Sequence, residues 1–434
     1  MSTGTEPGKL PHATPIEGAE TRTPTGGVLI ELSPIRRRML LLMLAGFSMI
    51  GPFSIDTFFP AFPAMQLALD ATSWQMQQTV SVYLVAYALM SLVHGGASDA
   101  LGRRPVILVS LVVFLLASIG CAMSTTLEGL LFFRFIQGLC AGAGSIVGRA
   151  IVRDCFHGVE AQRAMSLIHM LFGIAPALAP IVGGYLLVFG WQSSFWFLVV
   201  FALVLMLLAL TLLPETCPPE HRHPWSVRDL ARGYGEIVAS ARFRWLALCA
   251  GFNFAAVFLY ISSAHVFVLE HLGFNEQQFA SFFVPTIAGM VLGAFAAGRM
   301  AGRWSASRGI RMAYLVMAVG GLINVVQAFM VDQPSWPWAV LPITLIGFGT
   351  ATAFPLLSLM MLDMFPARRG GNSSVQMFIS LSINAAVAGG LAPTVNGSFL
   401  GLAVTSLGLT AIGWTCWLVA RNLAKQEAVV TKSG

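Results

Sequence analysis

Apolar residues in this chain run together in long blocks instead of alternating with polar ones. Twelve blocks, at roughly 39–64, 74–97, 105–124, 127–150, 162–189, 194–213, 243–266, 277–298, 311–331, 336–362, 371–394 and 397–420, are separated by short polar turns. About 20 apolar residues in a helix cross a bilayer, so each block predicts one transmembrane helix. Residues 1–36 carry Gly, Pro, Thr and charge and cannot bury a core, which predicts a disordered tail. The first apolar run begins only near Met39, with no small-residue cleavage site, so a signal peptide is not expected. The longest polar stretch, 214–242, starts rich in Pro and His and then turns helix-like, with Leu230, Tyr234, Ile237 and Val238 on one side. That pattern predicts an amphipathic piece lying on the membrane surface. It divides the chain into bundles at 37–213 and 243–421, followed by a tail at 422–434. The predicted fold is an all-α membrane protein: twelve transmembrane helices in two pseudo-symmetric six-helix bundles.

Charge supports the count. The chain is 56% hydrophobic and 10% charged, against about 25% charged in soluble domains. Its 25 basic residues fall in alternate loops. With the N-terminus inside, inner loops and tails hold groups such as Arg36–Arg38, Arg103-Arg104 and Arg368-Arg369, and the outer loops hold no Lys or Arg. Arg134 alone lies deep within a span. A wrong helix count would scramble this alternation, so both termini are expected in the cytoplasm, with the chain in the plasma (inner) membrane. The net charge of +6 is thereby read as a topology signal and not as a nucleic-acid surface. The six cysteines show no C-x-x-C and imply neither a metal site nor a disulfide framework. No phosphate-binding G-x-x-x-x-G-K-[ST] is present, and no nucleophile–base pair falls among the spans, so neither ATP hydrolysis nor other enzymatic chemistry is expected, and no cofactor.

Two candidates for chemistry stand out. Asp56, in SIDTFFPAFP of the first span, is a carboxylate at intramembrane depth and is functional by default. Arg134, in LLFFRFIQG of the fourth, lies at similar depth, each about 10–12 Å from the outer surface at 1.5 Å per residue. They form the best opposite-charge pair in the first half, one that is either structural or proton-coupling. In the coupling reading, Asp56 exchanges a proton as the cavity opens to each side, and Arg134 or a cationic substrate competes for it. The alternative is that the first helix ends early, at Pro60 and Pro63, leaving Asp56 in the headgroup region. Further along the fourth span, Gly138/Gly142 and Gly144/Gly148 are small-x-x-x-small pairs that read as packing positions.

The stretch Gly95–Pro105, with Gly95, Asp99, Gly102, Arg103, Arg104 and Pro105, resembles the loop between helices 2 and 3 of the major facilitator superfamily. Ala97 and Ala100 replace an expected leucine and a basic residue. Gly298-Arg299-x-x-Gly302-Arg303 is a weak counterpart in the second half, and internal repeats of this kind mark secondary transporters. Arg134, Gln137 and Gly138 resemble the family's helix-4 motif. Pro180-x-x-Gly183-Gly184 resembles the helix-5 motif of its proton-coupled drug exporters, with Ala175 and Ala179 where glycines are expected. YISSAHVFVLEHLGF, Tyr260–Phe274, resembles helix 7 of the bicyclomycin-resistance subgroup, with His265 in place of a small residue or Pro. The resemblance implies gating by Gly95, Asp99, Gly102, Arg103, Arg104, Arg153, Asp154, Pro180, Gly183 and Gly184, with Asp99, Arg103 and Asp154 latching the halves when the cavity faces outward.

The resulting expectation is proton-coupled export of small, largely apolar drugs by alternating access. Adaptable contacts would come from Phe58, Phe59, Tyr83, Tyr87, Gln137, Asn253, Phe254, Phe258, Tyr260 and His265. His94, His169 and His265 lie singly in apolar spans and read first as packed residues. The expected partners are a small-molecule substrate, protons and the bilayer, with the protein a monomer. A carrier dedicated to one metabolite and a non-transporting receptor are the competing readings; substrate breadth and substrate flux separate them.

Overall fold

The computed structural model describes residues 34–156, 158–222, 226–300, 303–331, 333–365 and 369–433. The expected N-terminal tail lies outside the described residues, as do Gly302 and Arg368 and the side chains of Arg163, His169 and Arg369. Among the described residues, eleven helices are long and apolar enough to cross a membrane. Spans 1, 3, 4, 5 and 6 are Ile35–Ala68, Arg103–Met123, Leu127–Cys155, Leu171–Phe189 and Ser193–Leu212. Spans 7 to 12 are Ala241–Ser262, Ala280–Met300, Ala306–Met330, Leu341–Met364, Gly370–Val395 and Phe399–Glu427. The remaining one, span 2, is a bent pair, Ser73–Ser91 and His94–Leu101, with 46° between its parts. Counted as one span it completes the twelve. Both described ends then lie on one side, the near side; the opposite side is the far side.

The two halves repeat one packing scheme. In the first, span 1 packs on spans 5 and 6, span 4 on spans 2 and 3, and span 3 on span 6. In the second, span 7 packs on spans 11 and 12, span 10 on spans 8 and 9, and span 9 on span 12. The halves meet through spans 2 and 11 and, symmetrically, through spans 5 and 8. Close approach needs small residues, and span 4 supplies them. A Cβ on Gly138 would strike the Tyr83 carbonyl of span 2, and one on Gly144 would come within 2.9 Å of the Phe47 carbonyl of span 1.

Three spans are irregular at one level. Span 1 is helical over Pro34–Asp56, breaks, makes a 3-10 turn at Phe59–Ala61 and resumes at Phe62–Ala68. Pro60 has no N–H to give the Asp56 carbonyl four residues back, nor Pro63 to give that of Phe59, so the helix opens there. Span 7 breaks after Ser262, restarts at Ala264–Val266 and passes into a π-helical turn, Phe267–His271. Span 11 has a π-helical turn at Val387–Leu391. The breaks of spans 1 and 7 face each other.

The connector between the halves contains a helix at Val227–Ala239, capped by the Ser226 hydroxyl, which accepts from Asp229 N at 3.1 Å. Its apolar face does not lie on lipid as the sequence pattern suggested. Ile237 is fully buried and Tyr234 is half-buried against the protein, while Val238 is exposed. Beyond span 12 the helix runs on to Ser433, and Arg242 pairs with Glu427 at 3.2 Å.

Candidate functional site

Asp56 sits just past the middle of the 34-residue span 1, at the break itself, and is 3% exposed. The early end foreseen at Pro60 and Pro63 is therefore real, but it is a break within the span and leaves Asp56 buried. One carboxylate oxygen, Oδ1, has no hydrogen-bond partner. Span 5 comes up against this break. A Cβ on Gly183 would collide with the Thr57 carbonyl, and one on Gly184 with the Glu276 carbonyl of the second half. Ser194 donates to the same Thr57 carbonyl at 3.5 Å. The Pro180-x-x-Gly183-Gly184 segment thus wedges its backbone between the broken part of span 1 and the other bundle.

Arg134 is wholly buried. The expected ion pair with Asp56 is not formed. Its Nε donates to the Thr79 carbonyl at 3.1 Å and Nη1 to Gln137 Oε1 at 2.8 Å; Nη2 has no partner. Gln137 in turn donates to Ser118 at 2.8 Å. The guanidinium carbon lies 4.3 Å from the Tyr83 ring centroid and 4.7 Å from that of Phe58, so aromatic faces stand where a carboxylate was expected. Phe58 follows Asp56 by two residues, so the break carries both the orphaned carboxylate and one wall of the arginine's cage.

The other expected contact residues fall into two groups. Phe58 and Phe59 pack with Phe62 and Phe195 at centroid distances of 5.3–5.6 Å around the break. His265, from the opposing break in span 7, sets its ring 4.6 Å from that of Phe62, with Nδ1 unpartnered. Phe62 and His265 thus touch across the two halves, while Phe58 packs on Phe195 and Arg134 within the first. Tyr87 hydrogen-bonds Ser145 at 3.3 Å within the first bundle. Asn253 and Tyr260 turn into the second bundle instead of toward the first. Asn253 donates to the Thr350 carbonyl at 3.0 Å, and Tyr260 accepts from Asn324 at 2.6 Å. Phe254 stacks on Phe258 at 5.9 Å.

On the near side, Arg103 pairs with Asp99 and donates to Ser98 at 2.7 Å and to Asp154 at 3.3 Å. Thr216 also donates to Asp154, at 2.7 Å. Gly102 adopts φ +102°, and Glu215 Oε2 lies 2.5 Å from where its Cβ would stand. Among the described residues this network binds spans 2, 3 and 4 to the connector and meets none of the second half, so the bridge expected of the outward-facing state is not made in the present conformation, whose halves are bonded on the far side. Arg104 donates to the Leu210 carbonyl at 2.8 Å, Arg153 is exposed, and nothing lies within 4 Å of a Cβ on Gly95.

Sequence reasoning missed three far-side residues that join the halves. Gln77 donates to the Ser262 carbonyl at 3.0 Å, Gln78 to the Gly389 carbonyl at 2.7 Å, and Ser81 to the Ala385 carbonyl at 2.9 Å. All three acceptors sit at or beside the irregular turns of spans 7 and 11, where carbonyls lose their helical partners. Adjacent amides in an apolar span were the available signal. Glu215 was missed too. Its Oε1 accepts from Arg103 N and Cys217 N, each at 2.9 Å, and Oε2 from Arg104 N at 3.3 Å.

A family model described as Major Facilitator Superfamily matches residues 39–393. The chain is similar to a bicyclomycin resistance protein homolog of Haemophilus influenzae, 27% identical over 303 residues, covering 70% of this chain and 76% of that one. It is also similar to multidrug resistance protein D of Escherichia coli, 27% identical over 387 residues, covering 87% and 95%. Among solved structures, the human organic anion transporter MFSD10 superposes with a TM-score of 0.68 at 21% identity, covering 88% of this chain and all of that one.

Proposed function

The chain belongs to the Major Facilitator Superfamily, a multi-pass membrane transporter family, and within it we propose that the protein exports small, largely apolar drugs in exchange for protons at a bacterial inner membrane, with both termini cytoplasmic. One observation supports the coupling reading most: a buried carboxylate, Asp56, with an unpartnered oxygen, placed at the break of span 1 and opposite the break of span 7. Broken helices near the midplane are where secondary transporters bind substrate and coupling ion. The surrounding surface of Phe58, Phe59, Phe62 and His265 offers stacking and apolar contact with few fixed hydrogen-bond demands, which suits varied substrates. The curated relatives named for bicyclomycin and multidrug resistance support the same substrate class.

Because Asp56 and Arg134 are not paired, Asp56 exchanges its proton by access to water and substrate, and Arg134 holds the geometry of Tyr83 and Phe58. The test is proton movement in everted vesicles carrying wild type or Asp56→Asn while bicyclomycin or chloramphenicol is added. Drug-induced proton release that disappears in the variant, at equal expression, supports antiport through Asp56. Equal signals from both proteins remove Asp56 from the role. Silence from both, across a broad compound panel, favours a carrier dedicated to one metabolite.

A further inference from the structure

The connector helix Val227–Ala239 lies across the near-side ends of two spans that belong to different halves. Leu230, Tyr234 and Ile237 share one face at helical spacing. Leu230 sits over Gly96 of span 2, where a Cβ would come within 2.9 Å of it. Tyr234 and Ile237 sit over Gly371 of span 11, each 3.4 Å from where a Cβ would stand. The Tyr234 hydroxyl donates to the Leu92 carbonyl at 2.6 Å. Leu92 lies in the bend of span 2, between Ser91 and His94, so its carbonyl has no regular helical donor four residues on. Ser374 of span 11 lies within electrostatic reach of the same phenol. One side chain therefore touches both halves, and burial holds its phenol above the ordinary tyrosine value, so it stays a donor at physiological pH.

We propose that the connector helix is a strap across the near-side mouth, with Tyr234 as the pin that joins the bend of span 2 to the start of span 11. The opposite face carries Arg228, Asp229 and Arg232, all exposed, while Arg244 of span 7 holds the end of the helix by donating to the Val238 and Ala239 carbonyls at 2.7 and 3.0 Å. Spans 2 and 11 are also joined on the far side by Gln78 and Ser81. The pin thus sets how far their near-side ends part while their far-side ends stay bonded. Tyr234 is a positioning residue: it contacts neither Asp56 nor the aromatic surface between the breaks.

The consequence for transport rests on the alternating-access reading above, so the test reads the strap without transport. Hydrogen–deuterium exchange is measured on the full chain in nanodiscs, for wild type, Tyr234→Phe, Ser374→Ala and, as a control on the exposed side, Val238→Ala. Losing one such hydrogen bond predicts about fivefold faster exchange in the segments it pins. Tyr234→Phe is expected to speed exchange in both 92–102 and 369–376. Ser374→Ala, made in the second half, is expected to speed it in 92–102 of the first. Val238→Ala and the far-side segment 385–396 are expected to stay at wild-type rates. Faster exchange confined to 227–239, or none at all, overturns the strap and leaves a helix that merely docks. Should Tyr234→Phe fold poorly, Ser374→Ala carries the same decision. A positive exchange result with no drug-driven proton movement separates failure of the export reading from failure of the strap.

Discussion

The Arg134 guanidinium stands 4.3 Å over the Tyr83 ring, and this contact, together with its hydrogen bonds to the Thr79 carbonyl and Gln137, takes the place of a salt bridge in span 4. Phe58 closes the other side at 4.7 Å. Desolvated cation–π contacts are worth about 2 kcal/mol each. Tyr83→Phe keeps the ring and is expected to cost under about 1 kcal/mol, since its hydroxyl makes only a 3.5 Å bond to the Gly51 carbonyl. Tyr83→Ala loses the ring and leaves a cavity, about 3–5 kcal/mol. Thermal unfolding of both in detergent checks this; near-equal losses would remove the ring from Arg134's support.

Gly183 and Gly173 lie on the same helix and predict opposite outcomes. A Cβ on Gly183 meets the Thr57 backbone, which cannot rotate away, whereas nothing lies within 4 Å of one on Gly173. Gly183→Ala is expected to push span 5 off the break beside Asp56 and abolish drug resistance in cells. Gly173→Ala is expected to leave resistance intact and to stabilise the helix by up to about 1 kcal/mol. Drug susceptibility and melting temperature of the pair decide it.

Hydrophobic length and the spacing of arginines made the twelve spans legible, because a bilayer imposes both on the chain. Gly138 and Gly144 were legible as packing residues because close helix crossings have a known spacing. The partnership of Asp56 with Arg134 was misread because depth along a helix does not say which way a side chain points, and aromatic faces can replace a carboxylate. Asn253 and Tyr260 were misplaced for the same reason: both are polar in an apolar span, and their partners, Thr350 and Asn324, lie far along the sequence in their own bundle. The acceptors for Gln77 and Gln78 are backbone carbonyls freed by irregular turns, and no residue pattern marks those in advance.

The far-side bonds from Gln77, Gln78 and Ser81 hold the halves together in the present conformation. Each is worth about 1 kcal/mol, so removing two shifts the balance toward far-side opening by roughly thirtyfold. Gln77→Ala with Gln78→Ala is expected to raise hydrogen exchange in 262–271 and 385–396 without lowering overall thermal stability by more than about 2 kcal/mol. Unchanged exchange in both segments would show that apolar packing, Phe62 on His265 included, closes this side by itself.

Glu215 ties the connector to the first turn of span 3 by accepting from the amides of Arg103 and Arg104, which have no donor-satisfying carbonyl within their own helix. Its Oε2 also stands 4.0 Å from Arg222. Glu215→Gln keeps the shape but loses the negative charge at a helix N-terminus and one acceptor oxygen. An expected cost of about 1–2 kcal/mol follows from the lost charge-assisted bonds. Since Thr216 next to it donates to Asp154, which also accepts from Arg103, the variant is further expected to loosen the Arg103 cluster. Thr216→Ala should give a smaller loss, about 1 kcal/mol, and the double variant should cost less than the sum of the two. A double-mutant cycle by thermal unfolding measures that coupling; strict additivity would mean the connector and the cluster are held independently.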